Sequence, residues 1–242
     1  MKLTISSMKP VFANLWLLLC LSGTSYAEEL TILAEDMPPL QLVQNGKLVG
    51  GTAARIVDMA QHICGHAKPI EVVPWARGYK QTLSTPNTAI FSMMRTPSRE
   101  EAFKWAGPIV QLKFQAFGLK KRQDIQVTQL DDIQKYVAGV IRDDFLHQIL
   151  VSKSTDSRSE SNIYPASDMQ LLVKLLYMER IDLIFVAEPF IRHHVTTLNY
   201  RFNDVHAKFT FDDAVGGMYL AFNKQTPDSV VECYESAIAA VQ

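Results

Sequence analysis

The sequence predicts an α/β protein of two lobes joined by an extended two-strand hinge. Three observations carry this. Strands and helices alternate from Leu30 to Met93, a long extended stretch follows at Val110 to Leu119, and the alternation starts again after Leu130. Strand–helix–strand repetition is the pattern of a mainly parallel sheet covered by helices. An interruption between two such runs separates two sheets.

The elements follow in order. Leu30 to Leu33 reads as a first strand, stopped by Pro38-Pro39, and Asn45-Gly46 makes a turn. From Thr52 to Ile63 the apolar residues Ala53, Ile56, Val57, Ala60 and Ile63 recur at helical spacing. Ile70 to Val73 is a second strand, Ala76 to Leu83 a short helix and Ala89 to Met93 a third strand. In the second run, Leu130 to Tyr136 and Phe145 to Val151 read as helices around a strand at Val137 to Ile141. The polar, serine-rich stretch Lys153 to Ser161 reads as a surface loop. Asp168 can cap a helix running to about Glu179, and Ile181 to Val186 is a strand. A late strand at Met218 to Phe222 and a helix from Asp228 to Val241 complete the chain. The hinge crossings are expected near Val110 and Lys224. That gives a first lobe of residues 28–110 completed by 225–242, and a second lobe of 111–224.

The first 27 residues have the layout of a cleavable secretory signal. Lys2 and Lys9 precede an apolar run from Val11 to Leu21, and Ser25-Tyr26-Ala27 places small residues where a signal peptidase cuts. The run is shorter than the roughly 20 residues that span a bilayer. Leu19 before Cys20 argues against a lipid anchor. A periplasmic location is therefore expected. Of the 242 residues, 24 are Lys or Arg and 25 are Asp or Glu, a formal net charge of −1 with no clustered basic face to suggest nucleic acid. Beyond the leader two cysteines remain, Cys64 and Cys233. An oxidising compartment permits them to pair, and two separate buried thiols are the alternative.

Several passages resemble, in order, the family 3 periplasmic solute-binding proteins, the amino-acid-type receptors of ABC importers. They are Pro38-Pro39 with Asn45-Gly46-Lys47-Leu48-Val49-Gly50; Thr96-Pro97-Ser98-Arg99 followed by Phe103, Trp105 and Pro108; Leu130-Asp131-Asp132-Ile133 with Val137-Ala138-Gly139-Val140; and Glu179-Arg180-Ile181-Asp182-Leu183. Pro74-Trp75-Ala76-Arg77-Gly78-Tyr79 looks like a branch of that family rich in "PWxRxY". The resemblance implies a type II periplasmic-binding-protein fold, a small-molecule ligand, an ABC permease or a membrane sensor as partner, and action as a monomer without cofactor or metal.

It also implies a site. Arg99 falls where the family holds a ligand carboxylate, which a guanidinium can grip with two parallel hydrogen bonds. Ser92 falls where a small hydroxyl residue assists, and Thr96 lies in the same motif. The alternative for Arg99 is a surface pair with Glu100 or Glu101. Trp75, Arg77 and Tyr79 suit a flat polar ligand, or else the two aromatic residues pack inside the first lobe. Departures from the family matter as much. The ammonium-binding aspartate position is Ala187, followed by Glu188; Met37 stands where an aromatic residue often covers the ligand; Met94 replaces a hydroxyl residue; and the second-lobe loop reads Arg142-Asp143-Asp144. Either Asp143, Asp144 or Glu188 replaces the missing acid, or the ligand lacks an α-amino group, or binding is lost. Asp144 can instead cap the helix that follows it.

His62 and His66 stand four residues apart, as do some metal ligands, but without the HExxH glutamate. They and His193-His194 are read as surface histidines. No nucleophile elbow, phosphate loop or dinucleotide fingerprint is present. The expected function is non-enzymatic capture of a small carboxylate-bearing solute for an ABC importer. A sensory binding protein and a small periplasmic dehydratase-like enzyme are the alternatives.

Overall fold

A computed structural model describes residues 29–66, 68–154 and 160–242, with backbone alone for 212–215. The expected signal segment and most of the serine-rich loop lie outside the described residues.

The first half of the fold contains β1 (Thr31–Ala34), the hairpin β2 (Leu42–Gln44) and β3 (Lys47–Gly50), α1 (Thr52–Ile63), β4 (Glu71–Val72), α2 (Trp75–Ser84), β5 (Thr88–Met94) and the single turn α3 (Pro97–Glu100). A long strand β6 (Phe103–Leu119) leads to the second half. There a 3-10 helix (Leu130–Lys135) precedes β7 (Ala138–Ile141), α4 (Phe145–Lys153), β8 (Ile163–Ala166), α5 (Met169–Tyr177), β9 (Leu183–Ala187) and α6 (Glu188–Thr197). The chain returns along β10 (Val205–Asn223) and ends in α7 (Asp228–Val241).

Eight strands form one sheet in the order β4-β1-β5-β10-β6-β9-β7-β8. The outer strands of each half run parallel, β1 with β4 and β5, and β7 with β8 and β9. The two long strands are antiparallel to each other and run through both halves. β10 pairs Val205–Thr210 with the far end of β6, then Met218–Phe222 with β5. On β6, Phe114–Phe117 pair with β9. The crossing between halves therefore lies near Val110 to Lys113 on β6 and Val215 to Gly217 on β10. Val110 lies at this crossing on β6, whereas Lys224 follows Met218 to Phe222, which already pair inside the first half. The polar residues of β10 before Met218 conceal its length in the sequence.

Each half-sheet is buried on both faces, so its strands read as continuous apolar runs. Side chains alternate: Leu183, Phe185 and Ala187 face one cluster, while Ile184 and Val186 face another. In the first half, Ile32 and Ala34 face the large cluster under α1 and α7, whereas Leu33 and Ile90 face a smaller one beside Trp75, Tyr79 and Trp105.

Local chemistry fixes the element ends. Asn45 and Gly46 both adopt positive φ, 52° and 71°, which closes the β2–β3 hairpin. Gly51, at φ 115°, begins α1 where a Cβ would lie 2.2 Å from the Leu40 carbonyl oxygen. Asp144 and Asp168 cap α4 and α5 by accepting from the His147 and Leu171 backbone N–H groups. Cys64 and Cys233 are joined, tying the end of α1 to α7. His66 corrects the surface reading: it is half-buried, stacks on Tyr234 with centroids 5.6 Å apart, and has Nδ1 3.1 Å from the Tyr234 hydroxyl. His62 is exposed. His194 is half-buried, and burial lowers its pKa.

Candidate functional site

The register locates the site. β5 ends at Met94, opposite Met218 where β10 enters the first half. β9 ends at Ala187, opposite Phe114. The carboxyl ends of both parallel strand sets thus meet at the crossing, where ligands bind in open α/β sheets.

Three adjacent strand ends supply the first-half side chains. β1 pairs Leu33 with Ile90, so Glu35 and Ser92 stand level, each two residues beyond that pair. On its other side β1 pairs Ala34 with Val72, three residues before Trp75. Ser92 sits in a bulge. Its φ is 59°, and the β5–β10 register shifts across it. The extra residue turns Met93 back toward the cluster holding Ile90, and leaves Met94 against the one holding Phe91. Ser92 is buried, and its Oγ has no hydrogen-bond partner among the described residues. A buried hydroxyl left unpaired costs about 1–3 kcal/mol, and a non-glycine residue at positive φ adds about 1–2 kcal/mol. Two costs on one side chain at a strand end mark a place where a ligand could repay them.

Arg99, on α3, is half-buried. Its guanidinium carbon lies 5.5 Å from the Trp75 ring centroid and 5.6 Å from that of Tyr79, and Nη1 donates to the Met94 carbonyl at 3.2 Å. Trp75 and Tyr79 are one turn apart on α2 and begin a run of rings through Phe103, Trp105 and Tyr219. The two aromatics therefore pack on the first lobe and also face the arginine. At the far end of the run, Arg95 lies over Trp105 and Tyr219 and binds Glu100 with two hydrogen bonds, of 2.7 and 2.5 Å. Glu101 faces Lys224 at 3.8 Å. Glu100 is thus held by Arg95, Glu101 is exposed, and no described carboxylate pairs with Arg99. Thr96 stands at the N-cap position of α3 without a side-chain bond to its backbone, and its Oγ1 lies 3.0 Å from Ser98 Oγ. Arg77 lies on the exposed side of α2, two residues from each ring, and is not brought to Arg99.

Glu35 was absent from the sequence-based site. Burial, reinforced by neighbouring Asp36, pushes its pKa up to about 7. It has no ion-pair partner among the described residues. An acid one step past an apolar strand whose carboxyl end meets the site was the available signal.

The second-half candidates behave differently. Arg142 donates to the Pro165 carbonyl at 3.2 Å. Asp143, at φ 61°, is exposed and lies 3.9 Å from His147 Nδ1. Asp144 is the α4 cap, and burial raises its pKa. Glu188 is bonded to Arg192, whose guanidinium covers the Phe202 ring at 3.9 Å. Ala187 is fully buried at the α6 N-cap.

No protein-family model matches the chain. No curated protein matches it either. Solved structures do. A histidine kinase sensor domain with similarity to periplasmic binding proteins has a TM-score of 0.72 at 13% identity, over 89% of this chain and 91% of that one. The fold is that of the two-lobed periplasmic binding proteins. An amino acid ABC transporter substrate-binding protein from Streptococcus pneumoniae, AbpA bound to L-arginine, gives 0.67 at 16% identity, over 87% and 88%. The periplasmic VFT2 domain of BvgS from Bordetella pertussis gives 0.65 at 13%, over 88% of each chain. At these identities the likeness is one of fold. Among the described residues no helix is long and apolar enough to cross a membrane.

Proposed function

We propose that the protein is a periplasmic, non-enzymatic binding protein that captures a small carboxylate-bearing solute between its lobes and delivers it to an ABC importer. The observation that carries this reading is Arg99: a half-buried guanidinium backed by Trp75 and Tyr79, without a carboxylate partner among the described side chains, and bonded to the Met94 carbonyl two residues beyond the unpartnered Ser92 hydroxyl. A ligand carboxylate would complete both groups, and contacts from the second lobe would favour a closed state. Thr96 shapes the turn that presents Arg99. Thermal-shift screening with amino acids, organic acids and polyamines tests the proposal. Ligands should raise the melting temperature of the purified protein, and Arg99→Ala should abolish that shift while leaving the apo value nearly unchanged.

A second reading is sensory, with the ligand reported to a membrane receptor. The similarity to a histidine kinase sensor domain and to a BvgS domain favours it. Co-purification of the ligand-loaded protein with a permease, rather than with a signalling receptor, separates the two.

A further inference from the structure

An acid and a guanidinium share one face of the first half without meeting. β1 pairs Leu33 with Glu71 and Ala34 with Val72, and the ladder continues where the Val73 N–H donates to the Ala34 carbonyl at 2.8 Å. Glu35 stands level with Val73 on one side and with Ser92 on the other. Side chains alternate along a strand, and level residues of neighbouring strands share a face. Leu33 and Val73 both face the small cluster against which Trp75 and Tyr79 pack, so Glu35 falls on that face too. Arg99 lies over the same two rings.

Neither charge neutralises the other. Arg99 is turned to the Met94 carbonyl, and Glu35 has no hydrogen bond or ion pair among the described residues. Glu35 is half-buried, and burial holds its pKa up at about 7. The charged side chains on the elements around it are Asp36 at its own strand end, Glu71 on β4, Arg77 and Lys80 on α2, and Arg95 and Arg99 beside α3. Among them only Asp36 acts on its titration, and it adds to the effect of burial. No described cation offsets this acid. Two features lie beside it on the same side of the sheet. Trp75 opens α2 two residues after Val73, and the buried Ser92 hydroxyl has no partner. An opposite charge within about 4–6 Å favours the ionised carboxylate, so a cation brought to Glu35 takes the place of a proton.

Resting on the reading of Arg99 as a carboxylate anchor, we propose that Glu35 is a second anchor in the same site and binds an ammonium or guanidinium group of the ligand. The ligand is then a carboxylate that also carries a cation, and the first lobe holds both groups. Capture of the cation releases to solvent the proton that Glu35 keeps in the empty protein.

Matched probes test this by calorimetric titration of the purified protein at pH 8. L-Arginine and L-citrulline differ in a guanidinium against an uncharged ureido group. 6-Aminohexanoate and hexanoate differ in a distal ammonium, and L-alanine and propanoate in an α-ammonium. The cationic member of at least one pair should bind about tenfold or more tightly than its partner. Glu35→Gln should bring that pair to within about threefold, and its apo melting temperature checks its folding. In the unaltered protein the cationic member should bind about tenfold or more weakly at pH 5.5 than at pH 8, and Glu35→Gln should remove that dependence. Equal or tighter binding of the uncharged member in every pair overturns the inference and leaves solute capture standing. So does a preference that Glu35→Gln leaves unmoved, which places the cation elsewhere, on Asp143 for example. If none of the six binds but a screened solute binds through Arg99, that solute decides. A cationic one that loses affinity in Glu35→Gln supports the inference; one without a cation, or one indifferent to the change, overturns it. No binding of any probe or screened solute overturns both this inference and the capture reading.

Discussion

The two lobes treat their polar groups in opposite ways at the crossing. In the first, Arg99 lacks a carboxylate among the described residues, Ser92 lacks a hydrogen-bond partner and Glu35 lacks a cation. In the second, Arg142, Asp144 and Glu188 each already have a partner within their own lobe. Groups left unsatisfied in the empty protein are those with binding energy to give, since an internal partner must be broken before a side chain can serve a ligand. On the proposed reading the first lobe would hold the ligand and the second would cover it.

Changes at both lobes can break or sharpen that contrast. The largest effect is expected at Arg99. Arg99→Ala removes one side of a charge-assisted pair and should cost about 2–5 kcal/mol of ligand affinity, read by titration, with little change in apo stability. Retained affinity would move the anchor elsewhere.

Glu35 comes next, through pH. Its folded pKa of about 7 lies above the ordinary glutamate value, so the folded state holds a proton that the unfolded state has released. That favours folding at low pH and is lost as pH rises through 7. Glu35→Gln should therefore stabilise the empty protein at pH 8 by about 2–3 kcal/mol, and much less at pH 4.5. Denaturant titrations at the two pH values measure the difference. Equal effects at both would mean the burial does not tax the charge.

Asp144→Ala should cost about 1 kcal/mol of stability through loss of the α4 cap, while ligand affinity stays within about twofold. A large affinity loss would return Asp144 to the binding surface. Glu188→Ala should be the mildest change. It removes a half-exposed pair at i, i+4 spacing, worth about 0.3–0.5 kcal/mol. Melting curves with and without ligand read both variants.

Much of the fold was legible because propensity, pattern and capping agree. Thr52–Ile63 has its apolar stripe, Asp168 caps its helix, and Asn45-Gly46 turns the hairpin. What escaped notice was masked by local chemistry. β8 contains Pro165, tolerated because β8 is an edge strand. Helix α6 carries Pro189 directly after its first residue, Glu188; a proline there reads as a breaker but fits the first helical turn. Leu130–Lys135 has the apolar spacing of a helix but winds as a 3-10 turn. Of the proposed site, Arg99, Ser92 and Trp75 could be named from their motifs. The engagement of Glu100 by Arg95 could not, because two arginines four residues apart compete for two neighbouring acids and only geometry decides. Glu35 has no motif, and burial alone makes it unusual.

The link between Cys64 and Cys233 has a covalent consequence. Cys64 precedes the first crossing and Cys233 follows the second, so the whole second lobe lies inside a closed ring of chain. A protease that cuts any loop of that lobe leaves two fragments still joined through the first. They separate on a denaturing gel only after reduction, so digestion with and without reductant reports where in the chain the cut fell.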